Sequence, residues 1–296
     1  MSVTVSARSD RHLTKSAKMA VGADPVGVPV IDLRRGGRAL AGSHLYEGEG
    51  LITGWHSHDV HQIEYAISGV VEVETAAGHY LLPPQQAAWI PVGLQHQATM
   101  NPDVKTIAVM FDPSLVPNAG DRARILAVSP LIREMMIYAL RWSIERPGGD
   151  AESDGFFATL GHLVSEALDH EAPLNLPTSE DPIVNAAMAY TKEHLDTVTV
   201  EDVSRAVAVS QRTLRRQFAE SIGWSWRTYL LHARMLRAMA LLAAPGQSVQ
   251  ETAMAVGFDS ISSFTRAFRA FCQETPTSYR RRVTAVEAVN NTRTPH

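Results

Sequence analysis

Residues 56–62 read HSHDVHQ, three histidines and a glutamine within seven positions. Neutral imidazoles are ligands for divalent transition metals, and on a strand a His-x-His pair projects both rings to one side. By that parity His56, His58, Gln62 and Glu64 share a face, while His61 takes the other and is expected in solvent rather than at a site. Three uses of the cluster are open: holding a metal ion, forming a metal-free polar floor for an organic effector, or serving as buried structural histidines. The spacing of His12, His44, His79, His162, His170, His194, His232 and His296 gathers none of them.

A second group of residues with chemical reach lies near the other end. TVEDVSRAVAVSQRTLRRQF (199–218) and SVQETAMAVGFDSISSFTRAF (248–268) are copies of one unit. Val200 and Ala206 match Val249 and Ala255; Leu214, Arg216 and Phe218 match Phe264, Arg266 and Phe268 one residue further along. Each copy opens with a capping box, Thr199-x-x-Asp202 and Ser248-x-x-Glu251. A short helix and a turn follow, with a new N-cap at Ser210 in one copy and at Asp259 or Ser260 in the other. The second helix of the first copy offers Gln211, Arg212, Thr213, Arg215 and Arg216, and that of the second copy offers Ser262, Ser263, Arg266 and Arg269. Arginine forks suit guanine edges and phosphates, and small hydroxyls permit close approach to a groove. Plain helix packing with a solvated charged face is the alternative, but no acid lies between Ser210 and Ala219 or between Ser260 and Cys272. WSWRTYLLHARMLRAMALLAA (224–244) reads as one helix of roughly 30 Å, close to the ~34 Å between successive major-groove faces. Arg280, Arg281 and Arg282 end the unit with charge suited to phosphate.

The surrounding sequence must position both groups. Residues 28–111 alternate apolar and polar residues in short runs such as QIEYAISG and VVEVETAAGHYLL, broken by Gly and Pro turns, which predicts a β-sandwich or barrel. PLIREMMIYALRWSIE (130–145) and DGFFATLGHLVSEALDHE (154–171) predict two amphipathic helices, expected to form a dimer seam or to pack back on the strands. The expected order is a disordered tail (1–25), a β-domain (26–120), a helical pair (121–172), a linker (173–182), an all-α domain (183–284) and a second tail (285–296). Between Asp181 and Arg282 there are 13 Arg and Lys against 9 Asp and Glu, a net of +4 in a chain whose total is −4. A basic C-terminal part behind an acidic N-terminal part suggests a division of labour. With one cysteine among 296 residues, no internal disulfide or thiolate cage can form. No apolar run spans a membrane and no signal-peptide core is present, so a reducing, cytoplasmic setting is expected.

Residues 181–282 resemble the DNA-binding domain of the AraC/XylS transcriptional regulators. The resemblance is carried by SQRTLRRQFAESIGWSWRTYL, by Ala253-x-x-x-Gly257-Phe258 and by Thr275-Pro276-x-x-Tyr279-Arg280. It implies DNA contacts at Arg212, Arg215 and Arg216 in the first copy and at Ile261, Ser262, Ser263 and Arg266 in the second. Ile261 departs from the polar residues common there, and Cys272 stands by a turn that usually carries glycine. Gly50-x5-His56-x-His58-x3-Gln62-x6-Gly69 and Pro91-x-Gly93-x-x-His96 resemble the two cupin motifs, with Gln62 in place of the usual Glu. The ligand set implied is His56, His58, Gln62 and His96, around a divalent transition metal of unspecified identity.

The resemblance implies an α+β chain of two domains, a cupin-like β-barrel followed by two helix-turn-helix units on a long linker helix. Its function would be sequence-specific transcriptional regulation in response to a small molecule or metal. The implied partners are double-stranded DNA, the effector, RNA polymerase and a second copy of the chain. Glu64 is the candidate effector contact. In the alternative of a metal-dependent cupin enzyme with a helical appendage, Glu64 is the general base, and the duplicated unit goes unexplained.

Overall fold

The computed structural model describes residues 20–23, 29–48, 50–100, 104–172, 174–244 and 246–290. Two compact units result, one of residues 1–76 and 80–173 and the other of 77–79 and 174–296. The first is β-rich and the second helical.

In the first unit the alternating runs become strands. They are β1 (Ala20–Ala23), β2 (Pro29–Ile31), β3 (Ala41–Gly48), β4 (Leu51–Ile52), β5 (Ser57–His58), β6 (His61–Ser68), β7 (Val71–Thr75), β8 (Gly78–Leu82), β9 (Gln86–Ile90), β10 (His96–Met100), β11 (Val104–Phe111), β12 (Arg124–Ala127) and β13 (Glu171–Ala172). One antiparallel sheet has the order β13-β12-β9-β6-β11-β3, and a second contains β8-β7-β10-β4. A small third sheet joins β1 to β2 and then β2, in parallel, to β5. Residues 20–23 therefore form a strand, not part of a disordered tail; residues 1–19 lie outside the described residues.

The two amphipathic helices are α1 (Pro130–Ala139), capped by Ser129, and α2 (Ala151–Ala167), capped by Asp150. Their apolar stripes pack against the six-stranded sheet, where Ile132, Met136, Phe157, Leu160 and Val164 share a core with Ile63, Tyr65, Trp89, Ile107 and Phe111. Polar bonds fix the hairpin there: Ser43 Oγ donates to Ala139 O (2.7 Å), and Arg146 reaches Ala41 O (2.6 Å) and Ser153 Oγ (2.9 Å). Of the two uses open to these stripes, packing back on the strands is made within the protomer, while Leu131 and Tyr138 stay exposed.

The second unit opens on β14 (Asn175–Pro177), a strand within the stretch expected as an irregular linker, with Leu174 and Leu176 buried. Its helices are α3 (Pro182–Glu193), α4 (Val200–Ala206), α5 (Gln211–Ile222), α6 (Trp226–Ala243), α7 (Val249–Ala255), α8 (Ile261–Cys272) and α9 (Pro276–Asn290). Both capping boxes form, and Ser210 and Ser260 cap α5 and α8. Because Ser225 caps α6, the long helix begins two residues later than its apolar pattern suggests. The repeat also extends into a third helix. Phe218 meets Tyr229 edge-on at 5.9 Å, and Phe268 meets Tyr279 at 5.5 Å, both at 68°. Helix α9 runs to Asn290, through residues expected as tail; residues 291–296 lie outside the described residues.

Two joints tie the copies together. Gly257 sits at φ +75° where a Cβ would collide with the carbonyl oxygen of Asp196, just ahead of the first copy. Arg234 of α6 donates from Nε to Leu195 O (2.9 Å), and its guanidinium lies 5.8 Å from the Phe258 ring. In the second joint, His232 of α6 packs between Trp224 (4.5 Å) and Phe271 (5.0 Å). The turn beside Cys272 takes the left-handed conformation through Gln273 (φ +59°), where the first copy uses Gly223 (φ +71°).

Gly257→Ala is expected to cost at least about 2 kcal/mol, combining left-handed strain with backbone collision. Gln273→Gly should gain up to about 1 kcal/mol, because strain is relieved without a clash. Urea unfolding of the two variants checks both signs.

Candidate metal centre and nucleic-acid interface

Two strand ends assemble the histidines. His56 and His96 form an isolated antiparallel bridge, each donating its backbone N–H to the other's carbonyl at 2.9 Å. His58 lies two residues on, in register with Ile31 of β2. All three are buried, and their ring centroids stand 4.4 Å (His56–His96), 4.8 Å (His56–His58) and 4.8 Å (His58–His96) apart. One nitrogen from each lies within 4.8 Å of the others. His56 Nδ1 is 2.8 Å from Gly54 O, and His96 Nδ1 is 2.9 Å from Leu94 O. A carbonyl only accepts, so each Nδ1 carries the proton and each Nε2 keeps a lone pair. His58 Nδ1 is buried with no hydrogen-bond partner.

Burial disfavours the imidazolium throughout this cluster. It pushes His96 down to about 3, with the His56 charge adding to the effect. It holds His58 well below the usual histidine range, assisted by His96 and His56. His56 is lowered by burial against the opposing Gly54 bond. The cluster is therefore neutral at pH 7, the state in which imidazole binds metal.

His61 is not in solvent. It alternates along β6 with Ile63 and Tyr65, which pack into the core shared with α1 and α2, and its own ring is buried beside Trp89 (5.2 Å). Its Nδ1 accepts the Val92 N–H at 2.9 Å, while Gly93 N–H donates to His58 O at 2.9 Å. The Pro91–Gly93 turn ahead of His96 is thus pinned by both strands that carry the HSHDVHQ histidines. The third side chain of that motif is a fastener, which its position in an otherwise apolar series (Ile63, Tyr65, Ile67) would have indicated. Gln62 is half-buried, and its Nε2 donates to Glu64 Oε2 at 2.7 Å. Glu64 is buried between Ala88 and Ala108 on the neighbouring strands. Burial raises its carboxyl above the usual range, and the Gln62 bond works the other way.

In the helical unit, Arg212, Arg215 and Arg216 of α5 are exposed, as are Ile261, Ser262, Arg266 and Arg269 of α8. Leu214, Phe218, Phe264 and Phe268 face inward. Three further polar residues of the expected face are engaged. Gln211 Nε2 donates to Glu201 (2.8 Å) and its Oε1 accepts from Arg215 (3.3 Å); Thr213 and Ser263 join the hydroxyl pairs that cap their helices. Among the described residues no carboxylate pairs with Arg212, Arg216, Arg266 or Arg269. The terminal arginines are less available than their sequence suggests: Arg282 is bonded to Glu274 and lies over Tyr279, and Arg280 stands within the field of Glu251. Helix α6 has 18 residues, about 27 Å.

A β-domain with a buried histidine cluster, followed by two capped helix-turn-helix units on one rod, defines a ligand-binding module joined to a DNA-binding one. Residues 44–176 match an AraC-like ligand binding domain, and residues 203–282 match a helix-turn-helix domain. The HTH-type transcriptional regulator NimR of Escherichia coli (strain K12) is 25% identical over 235 residues, which cover 78% of this chain and 83% of NimR. RipA of Corynebacterium glutamicum is 38% identical over 84 residues, 28% of this chain and 25% of RipA. Among solved structures, ToxT from Vibrio cholerae O395 is 12% identical over 81% of this chain and 97% of its own, with a TM-score of 0.34. The chain is a DNA-binding transcriptional regulator in which an AraC-like ligand-binding domain precedes the helix-turn-helix domain. No helix among the described residues is long and apolar enough to cross a membrane.

The depressed histidines carry a pH signature. In metal-free protein they contribute stability above the unfolded-state value of 6.5, and that stability is lost as pH falls towards about 3. The slope approaches about 1.4 kcal/mol per pH unit per histidine. Urea titrations in chelator from pH 7 to pH 4 should show the loss, and His96→Gln should flatten it.

Proposed function

We propose that His56, His58 and His96 form the sensing centre of this regulator by holding a divalent transition metal. One observation carries the reading: three buried, neutral imidazoles face one another, and two have their Nδ1 protons fixed by backbone carbonyls. That is the arrangement in which Nε2 donates to a metal. The unpartnered Nδ1 of His58 is a further donor whose burial is otherwise uncompensated. Gln62 has committed its Nε2 to Glu64, so the fourth ligand position assigned to it falls to its amide oxygen. Glu64 is assigned the role of effector contact. A bound ion would supply a Lewis-acidic position for a donor atom of an organic effector. The chain's own groups orient the rings and exclude water. The helix-turn-helix domain behind it supports a sensing role for this centre.

The proposed DNA face comprises Gln211, Arg212, Thr213, Arg215 and Arg216 in the first copy, and Ile261, Ser262, Ser263, Arg266 and Arg269 in the second. Exposed arginines without acidic partners support it, because such side chains remain available for phosphates and guanine edges. Effector binding alters DNA engagement to the extent that the two DNA-binding states bind effector unequally. The protein works in the cytoplasm as a homodimer, which would use surface that α1 leaves outside the core, including Leu131 and Tyr138. At its promoter it would meet RNA polymerase.

Two measurements test these assignments. Protein purified without chelator should contain about one equivalent of a divalent transition metal by mass spectrometry, and His58→Ala should weaken its affinity at least ~10-fold. A metal-free wild type would end the metal reading. Arg216→Ala should weaken operator binding, lowering the log–log salt slope by about 1 for a phosphate contact or losing about 1–3 kcal/mol of base discrimination for a base contact. Unchanged affinity and slope would remove α5 from the interface.

A further inference from the structure

The two helix-turn-helix copies share a backbone but differ in what they present. Gln211, at the first position of α5, corresponds to Ile261 at the first position of α8. Arg212 corresponds to Ser262 and Arg215 to Thr265, while Arg216 is retained as Arg266. Glu201, which holds Gln211 in the first copy, corresponds to Gln250 in the second. The polar network of Glu201, Gln211 and Arg215 therefore has no equivalent around Ile261.

Ile261 is 47% exposed although it opens a well-capped helix. The core of the copy does not use it, since α8 buries Phe264 and Phe268. It lies directly beside the row of Ser262, Arg266 and Arg269, whose spacing of four and three places them on one helix face. Ser262 is short where the first copy has a long arginine, so the start of α8 stands lower above that face than the start of α5. A branched aliphatic residue here can neither donate nor accept a hydrogen bond. In the major groove one base presents an apolar group, the C5-methyl of thymine.

We propose that Ile261 reads thymine: its side chain packs against thymine C5-methyl groups in the half-site bound by the second copy. This rests on the reading that α5 and α8 face DNA. The first copy then selects through arginine forks and the second through methyl contact, so the two halves of one operator differ in composition.

The test uses the full-length chain and a duplex enriched by it from a random pool. Each thymine is replaced in turn by uracil, which lacks only the methyl. For the wild type, one or two positions should lose about fourfold in affinity each, equivalent to about 0.8 kcal/mol for one buried methyl. Ile261→Ala should lose a similar factor on the thymine duplex and become indifferent to uracil at those same positions. Because the uracil substitution leaves the protein untouched, its result does not depend on how the variant folds. Equal binding of wild type to every uracil duplex overturns the proposal, as does an Ile261→Ala protein that keeps the thymine dependence. Failure to enrich any duplex would instead bring down the DNA reading of both helices, and this inference with it.

Discussion

The close approach of Gly257 to the Asp196 carbonyl is the constraint on which the helical half depends. Two copies of a small three-helix unit could sit on a shared rod at many relative rotations. A residue with no side chain, in a conformation that L side chains resist, lets the second copy press against the segment that introduces the first. Arg234 then bonds the neighbouring Leu195 carbonyl from the rod itself. His232, held between Trp224 and Phe271, restrains the opposite side. With contacts on both flanks of α6, the distance and rotation between α5 and α8 are properties of the fold rather than of its partner, so binding need not supply the ordering cost.

In the β-domain the corresponding economy lies in strand β6, both faces of which are used. Ile63, Tyr65 and Ile67 anchor the helical hairpin, while Gln62 and Glu64 look the other way. His61 belongs structurally to the first set, yet it grips the turn that leads to His96. The turn ahead of His96 is thereby tied to the packed side, and on the proposed metal reading this would help to hold the donors in place.

Much of this was legible in the sequence, for identifiable reasons. Capping boxes at Thr199 and Ser248 are local chemistry, so they survived intact into the fold. The pairing of His58 with His56 and His96 followed from strand parity and from resemblance to the cupin motifs. Parity alone could not say what covers a strand: His61, expected in solvent, is buried beside Trp89. The same blindness to long-range packing hid the use of the helical stripes, the bond between Gln62 and Glu64, and the diversion of Arg282 to Glu274. Gly257 was visible as part of a motif, but its collision partner lies sixty-one positions upstream, and no local pattern points there. Gln273 was hidden for a simpler reason, since a left-handed turn without glycine leaves no compositional mark.

The divergence of the duplicated units has a geometrical outcome. A rod bearing two identical reading heads in tandem still has a head and a tail, and here the heads are also unlike, arginine-rich on α5 and aliphatic and hydroxyl-bearing on α8. On the proposed interface, turning one protomer end for end would set each head over the other's bases. Each protomer therefore has a compass direction along the duplex, and inverting its site relative to the transcription start is not a neutral change.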